Sequence, residues 1–204
     1  MANLTAKKSS SPRKWDVAIH EAGHCCTGLA LNLFLYSNGA QINPDGGGSA
    51  AIPNYWKDND RLNVRHTINS LAGSIAETIL GIESKTNIYR GGSGDRKQQA
   101  EYMTEFCKKN GLDYDDTIKQ LAKYARTVVK AYWPAILKVA ERILATDQAS
   151  GRHIRKVYED AVREKNLKLP EPKFIGALLD AFNSPEPWVQ KQLEKEAAKE
   201  AAAA

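Results

Sequence analysis

From Lys14 to Tyr36 apolar residues fall on nearly every side of a helical projection: Trp15, Val17, Ile19, Ala22, Cys25, Cys26, Leu29, Leu31, Leu33, Phe34 and Leu35. A helix with that distribution is buried on most sides, and Asn38-Gly39 is its expected stop. The next periodic stretch has one apolar face. Val64, Ile68, Leu71, Ala72, Ile75, Ala76 and Ile79 recur at steps of three and four, which predicts an amphipathic helix over 62–80 capped by Gly81. A helix is expected from Asp95 to Lys109, stopped by Asn110-Gly111. Another opens at Asp115-Asp116-Thr117, with carboxylates at the positive end of its dipole. Pro134 should break or kink it. Ile136 to Leu144 forms the following stretch, and Ser150-Gly151 separates one more helix bearing Ile154, Val157, Tyr158 and Val162.

Residues 38–60 lack that periodicity. Asn43-Pro44-Asp45 followed by three glycines reads as a turn. Ser49 to Tyr55 reads as a short strand, confined by Pro53 to a sheet edge. The expected fold is therefore mainly α with a small β edge element and a buried first helix. The expected layout is a loose basic arm over 1–13, a globular domain over 14–168, and a Pro-punctuated helical extension over 169–204.

Composition narrows the class. The 204 residues are 42% hydrophobic and 26% charged, as in a globular chain that buries its own core. Lys plus Arg exceeds Asp plus Glu by 29 − 24 = 5. No dense basic stripe with interleaved aromatics appears, so no nucleic-acid partner is expected. No stretch approaches the roughly 20 apolar residues of a membrane span. Three cysteines, two of them adjacent, exclude a disulfide framework. With no signal-peptide core at the N-terminus, the expected address is the cytoplasm.

Chemistry enters at His20-Glu21-Ala22-Gly23-His24, an H-E-x-x-H motif inside the apolar helix. Residues four apart share a helix face, so both imidazoles can hold one ion while Glu21 stands beside it, able to take a proton from a water on that ion. Burying two His and one Glu without partners would cost several kcal/mol, roughly, and a metal ion supplies the partner. Hydrolytic zinc needs a third protein ligand and an open position. No third His follows within the next few residues, which excludes the metzincin pattern. The downstream candidates are His66, Glu77, Asp95 and Glu101.

Four features together resemble the peptidase domain of the FtsH-type ATP-dependent zinc proteases. They are Ala18-Ile19-His20-Glu21-Ala22-Gly23-His24, the Leu71 to Gly81 segment with its Gly73-Ser74-Ile75-Ala76-Glu77 core, the Gly-rich loop running into Asp95, and the helix, Ser-Gly break and helix of 136–161. The resemblance covers about residues 14–162. It implies a zinc site of His20, His24 and Asp95, with Glu77 orienting a ligating His and Glu21 as the general base. The pattern departs from the family at Gln99, where an Ala commonly stands four residues after the Asp. The chain also carries no Walker sequence, since neither glycine cluster is followed by Gly-Lys-Ser/Thr. Both clusters then read as turns.

The resulting expectation is a zinc (Zn2+) metalloendopeptidase acting on unfolded or flexible protein substrate, which the resemblance lays as an extended strand near residues 48–55. Assembly as a homo-oligomer, or docking on a separate ATPase, goes with the resemblance. The alternative is a zinc-stabilised binding or adaptor module without proteolysis. An intact Glu21 argues against it, because a structural site needs no base. Cys25 and Cys26 read as small packing residues.

Overall fold

The computed structural model describes residues 14–52, 59–81 and 94–185, the side chains of 94–99 and 102 excepted. The expected arm over 1–13, Pro53 to Tyr55 of the expected strand, the loop before Gly94 and the Glu/Lys/Ala end lie outside the described residues. The described fold is mainly helical, with a small three-stranded antiparallel sheet.

Helix α1, Lys14–Ala30, buries twelve of its residues, among them Ala18, Ile19, Ala22, Cys25 and Cys26. It is shorter than its apolar run suggests. Asn32 takes the left-handed conformation (φ 55°), and two bonds close the helix end, Leu33 N–H to Gly28 O at 2.8 Å and Asn32 N–H to Leu29 O at 3.1 Å. That is a Schellman stop with Asn in the place glycine usually takes. Beyond it Leu31, Leu33 and Leu35 are buried while Asn32, Phe34 and Tyr36 are exposed. The run therefore switches from helical to extended, and the expected stop at Asn38-Gly39 comes too late.

Strands β1 (Ala40–Ile42) and β2 (Gly48–Ala50) form a hairpin pairing Ala40 with Ala50 and Ile42 with Gly48. Its turn carries Gly46 at φ 88° and closes through Asn43 N–H to Gly47 O, 2.7 Å. Helix α2, Asp60–Ile79, is capped by Asn59, whose side chain accepts from Leu62 N–H. Helices α3 (Gly94–Asn110) and α4 (Tyr114–Ala131) follow. Pro134 lies in the first turn of α5 (Trp133–Thr146), so it starts a helix rather than kinking one. Strand β3 (Gln148–Ala149) pairs with β1, giving the order β2-β1-β3 with β2 at an edge. Ser150 caps α6 (Gly151–Lys165).

The last described helix, α7 (Gly176–Asn183), packs on α2. Arg65 of α2 ties three parts together: it donates to Leu31 O at 2.9 Å and Phe182 O at 3.0 Å and lies 4.9 Å over the Phe182 ring. Phe174, Leu178 and Phe182 share one core with α1 and α2. Helix α1 runs through that core, covered by α2, α5 and the β1–β2 hairpin. Among the described residues no helix is long and apolar enough to cross a membrane.

Candidate metal centre

His20 and His24 lie one turn apart on α1, their rings edge to face with centroids 4.7 Å apart. Each Nδ1 faces an acceptor. His20 Nδ1 donates to Glu77 Oε1 at 3.0 Å, and His24 Nδ1 donates to the Asn69 carbonyl at 2.8 Å. A carbonyl and a carboxylate only accept, so each neutral ring carries its proton on Nδ1 and keeps a lone pair on Nε2. The two Nε2 atoms converge to 3.0 Å. A shared proton or a cation between them turns that approach into attraction.

The opposing surface is supplied by α2. Asn69, Gly73 and Glu77 stand at i, i+4 and i+8, one stripe of that helix. They face His20, His24 and Gly28, a stripe of the same period on α1. A Cβ on Gly28 would lie 3.4 Å from Asn69 Oδ1, and one on Gly23 would lie 3.0 Å from Ala72 O. These are i±4 ridges packed together, brought close by glycines. A Cβ on Gly73 would fall 2.5 Å from His24 Nε2 and 2.6 Å from His20 Nε2. Any larger residue at 73 would therefore crowd both Nε2 atoms.

That donor set fits zinc. Imidazole nitrogens with their far N–H held by a carboxylate or carbonyl are usual zinc ligands. Zinc bonds of about 2.0–2.1 Å at the tetrahedral angle place two nitrogens roughly 3.3 Å apart, so a slight ring rotation accommodates the ion. Asp95 belongs to the first turn of α3, and its side chain lies outside the described residues. Among the described residues no group of three or more His, Cys, Asp or Glu is placed to hold a metal ion. Neither His66, buried on α2, nor Glu101, exposed on α3, completes the pair.

Glu21 is only 5% exposed. Burial raises its carboxyl from 4.5 to about 7, His20 opposing the rise and Glu77 adding to it. Cys25 and Cys26 are fully buried, and burial pushes both thiols well above their ordinary range, so they are packing residues rather than thiolates. Burial pushes His66 down to about 4.

Sequence reasoning pointed to His20, Glu21, His24 and Glu77, which the structure brings together. It gave no role to Asn69 or Gly73. Asn69 acts through a backbone carbonyl, which no residue type announces. Gly73 carried a signal, a glycine four residues before Glu77 on a helix. The chain matches no protein-family model and no curated protein.

Proposed function

We propose that the chain is a zinc-dependent endopeptidase acting on extended segments of unfolded or flexible proteins. The observation that carries this reading is the hold on the two imidazoles: both Nδ1 atoms are engaged, both Nε2 atoms converge, and Glu21 stands next to them. His20 and His24 would hold zinc through Nε2, with Asp95 as the third ligand. Bound there, zinc supplies Lewis acidity, polarising the scissile carbonyl and bringing the pKa of water toward about 7.

The chain's own groups do the rest. Glu77 and the Asn69 carbonyl hold the two rings and fix their tautomers. Glu21 accepts a proton from the attacking water on a carboxylate oxygen and returns it to the leaving amine nitrogen. Burial raises this carboxyl in the metal-free protein, and a cation held beside it opposes that rise, leaving a group able both to take and to return the proton. An extended peptide fits because β2, at the sheet edge, packs against the α1 turn that carries Glu21.

The test is cleavage of an unstructured fluorescent protein by the zinc-loaded chain beside Glu21→Gln. Turnover in the variant should fall by about 10²–10⁴-fold with zinc still bound. A variant that binds zinc and cleaves at the wild-type rate rules the mechanism out. If both proteins bind zinc and neither cleaves, the zinc-stabilised binding module takes its place.

A further inference from the structure

We infer that Gly48 is a positioning residue for Glu21: the bare backbone of β2 at this position sets where the carboxylate lies. The inference rests on the peptidase reading for its catalytic meaning and on contacts for its geometry. Val17 and Glu21 stand one turn apart on α1 and leave a notch between them. A Cβ on Gly48 would lie 2.6 Å from Glu21 Oε1, 2.9 Å from Glu21 Cγ and 2.7 Å from Val17 Cγ1. Glycine there lets the strand enter the notch and cover the carboxylate, which is why Glu21 is buried although its neighbour His20 keeps a quarter of its side chain exposed (24%).

Backbone conformation does not explain this glycine. Gly46, in the preceding turn, has φ 88°, whereas Gly48 is not among the positive-φ residues. An L-residue is compatible with its backbone, and glycine to alanine at such a site ordinarily stabilises a protein by restricting the unfolded chain. The contact with α1 is the obstacle that remains. The strand has little room to yield. Gly48 is paired with Ile42 of β1, β1 is paired on its other side with β3, and the turn is closed by Asn43 N–H to Gly47 O and by Gly47 N–H to Asp45 Oδ1 at 3.0 Å. A methyl at 48 therefore displaces the movable partner, the Glu21 side chain. None of the contacts that hold His20 and His24 from α2 involves Gly48, so the ion's ligands stay in place.

Two measurements test this together. The first needs neither metal nor activity: thermal unfolding of the metal-free wild type, Gly48→Ala, Glu21→Ala and the double variant. Gly48→Ala should lower the midpoint by roughly 5 °C, the usual effect of overpacking in a chain of this size. In the Glu21→Ala background the loss should be less than half as large, the remainder coming from Val17. Equal losses in both backgrounds overturn the inference.

The second is steady-state cleavage by the zinc-loaded proteins. Gly48→Ala should lose about 100-fold in kcat, the order expected when a reacting group is misplaced by about an ångström. KM and zinc stoichiometry should be unchanged. Gly47→Ala is the control, because a Cβ there meets nothing nearer than Asp45 Oδ1 at 3.3 Å. Coupled stabilities with an unaltered kcat would also overturn the positioning role. A wild type that binds zinc and cleaves nothing sinks the peptidase reading instead, while the four-protein stability comparison still decides the contact.

Discussion

At the scale of single residues, the site depends as much on what is missing as on what is present. Gly73 sits beneath both converging nitrogens, so Gly73→Ala should weaken zinc binding by at least about 100-fold, the upper range seen when the supports of a metal site are lost. Titration against a chromophoric chelator would show it, and unchanged affinity would refute it. Ordinarily the same substitution in a helix interior gains about 0.5–1 kcal/mol. Two buried titrating groups oppose each other across nearly the same pH window in the metal-free protein. Glu21, raised from 4.5 to about 7, keeps its proton longer in the folded state, so its contribution is full below pH 4.5 and is lost as pH rises through 7. His66, lowered from 6.5 to about 4, is neutral when folded, so its contribution is full above pH 6.5 and is lost as pH falls through 4. Each amounts to about 3 kcal/mol, and in the wild type they largely cancel. Urea unfolding between pH 4 and 7 should show acid destabilisation emerging in Glu21→Gln and its reverse in His66→Gln; parallel curves in both variants would contradict this. The pairing of His20 with His24 was legible because i, i+4 spacing puts both on one helix face. The hold on His24 was not, because it comes from a main-chain carbonyl.

At the scale of elements, the helices were largely readable, and the sheet was not. Helix α2 falls within about two residues of its apolar period, α4 and α6 start at the Asp113 and Ser150 caps, and α3 stops at Asn110 before Gly111. The run from Lys14 misled because it is apolar throughout, so it satisfies the helical period and the alternating one at once. The deciding residue is Asn32, one polar position whose left-handed backbone ends α1. Asn32→Ala should cost about 1 kcal/mol in urea unfolding, because Ala keeps the Cβ that crowds this conformation and loses the short polar side chain that lets Asn adopt it, and Asn32→Gly, which removes the Cβ, should cost nothing. Loss in both would mean that the Asn side chain, rather than the backbone, carries the stop. Strand β3 is two residues long and exists by pairing with β1, which no local pattern encodes. Gly48 was read as one of a run of turn glycines; only Gly46 takes a turn conformation that needs one, and Gly48 belongs to the strand over Glu21.

Across the whole molecule, one core joins α1, α2, α5 and the C-terminal Phe174 and Phe182, with Arg65 fastening α7 and the end of α1 to the same helix. The two histidines proposed as metal ligands belong to α1, and the groups that orient their rings belong to α2. On the proposed reading, zinc binding is therefore coupled to the packing of these two helices, and the ion stabilises the fold. At a free zinc concentration about 1,000 times Kd the gain is about 4 kcal/mol, or roughly 10 °C in melting temperature for a chain of this size. Thermal unfolding with zinc, and again after chelation, measures it; an unmoved midpoint would mean the ion does not bind the folded site. Glu21→Gln should show the same rise, since Glu21 is no ligand. The helix-spanning arrangement also has a consequence for supply. On the proposed reading, where the ion is scarce, chains without it would spend more time partly open and would be more exposed to proteolysis. Starvation for the metal would then reduce how many molecules a cell keeps, beyond the turnover lost from those that remain.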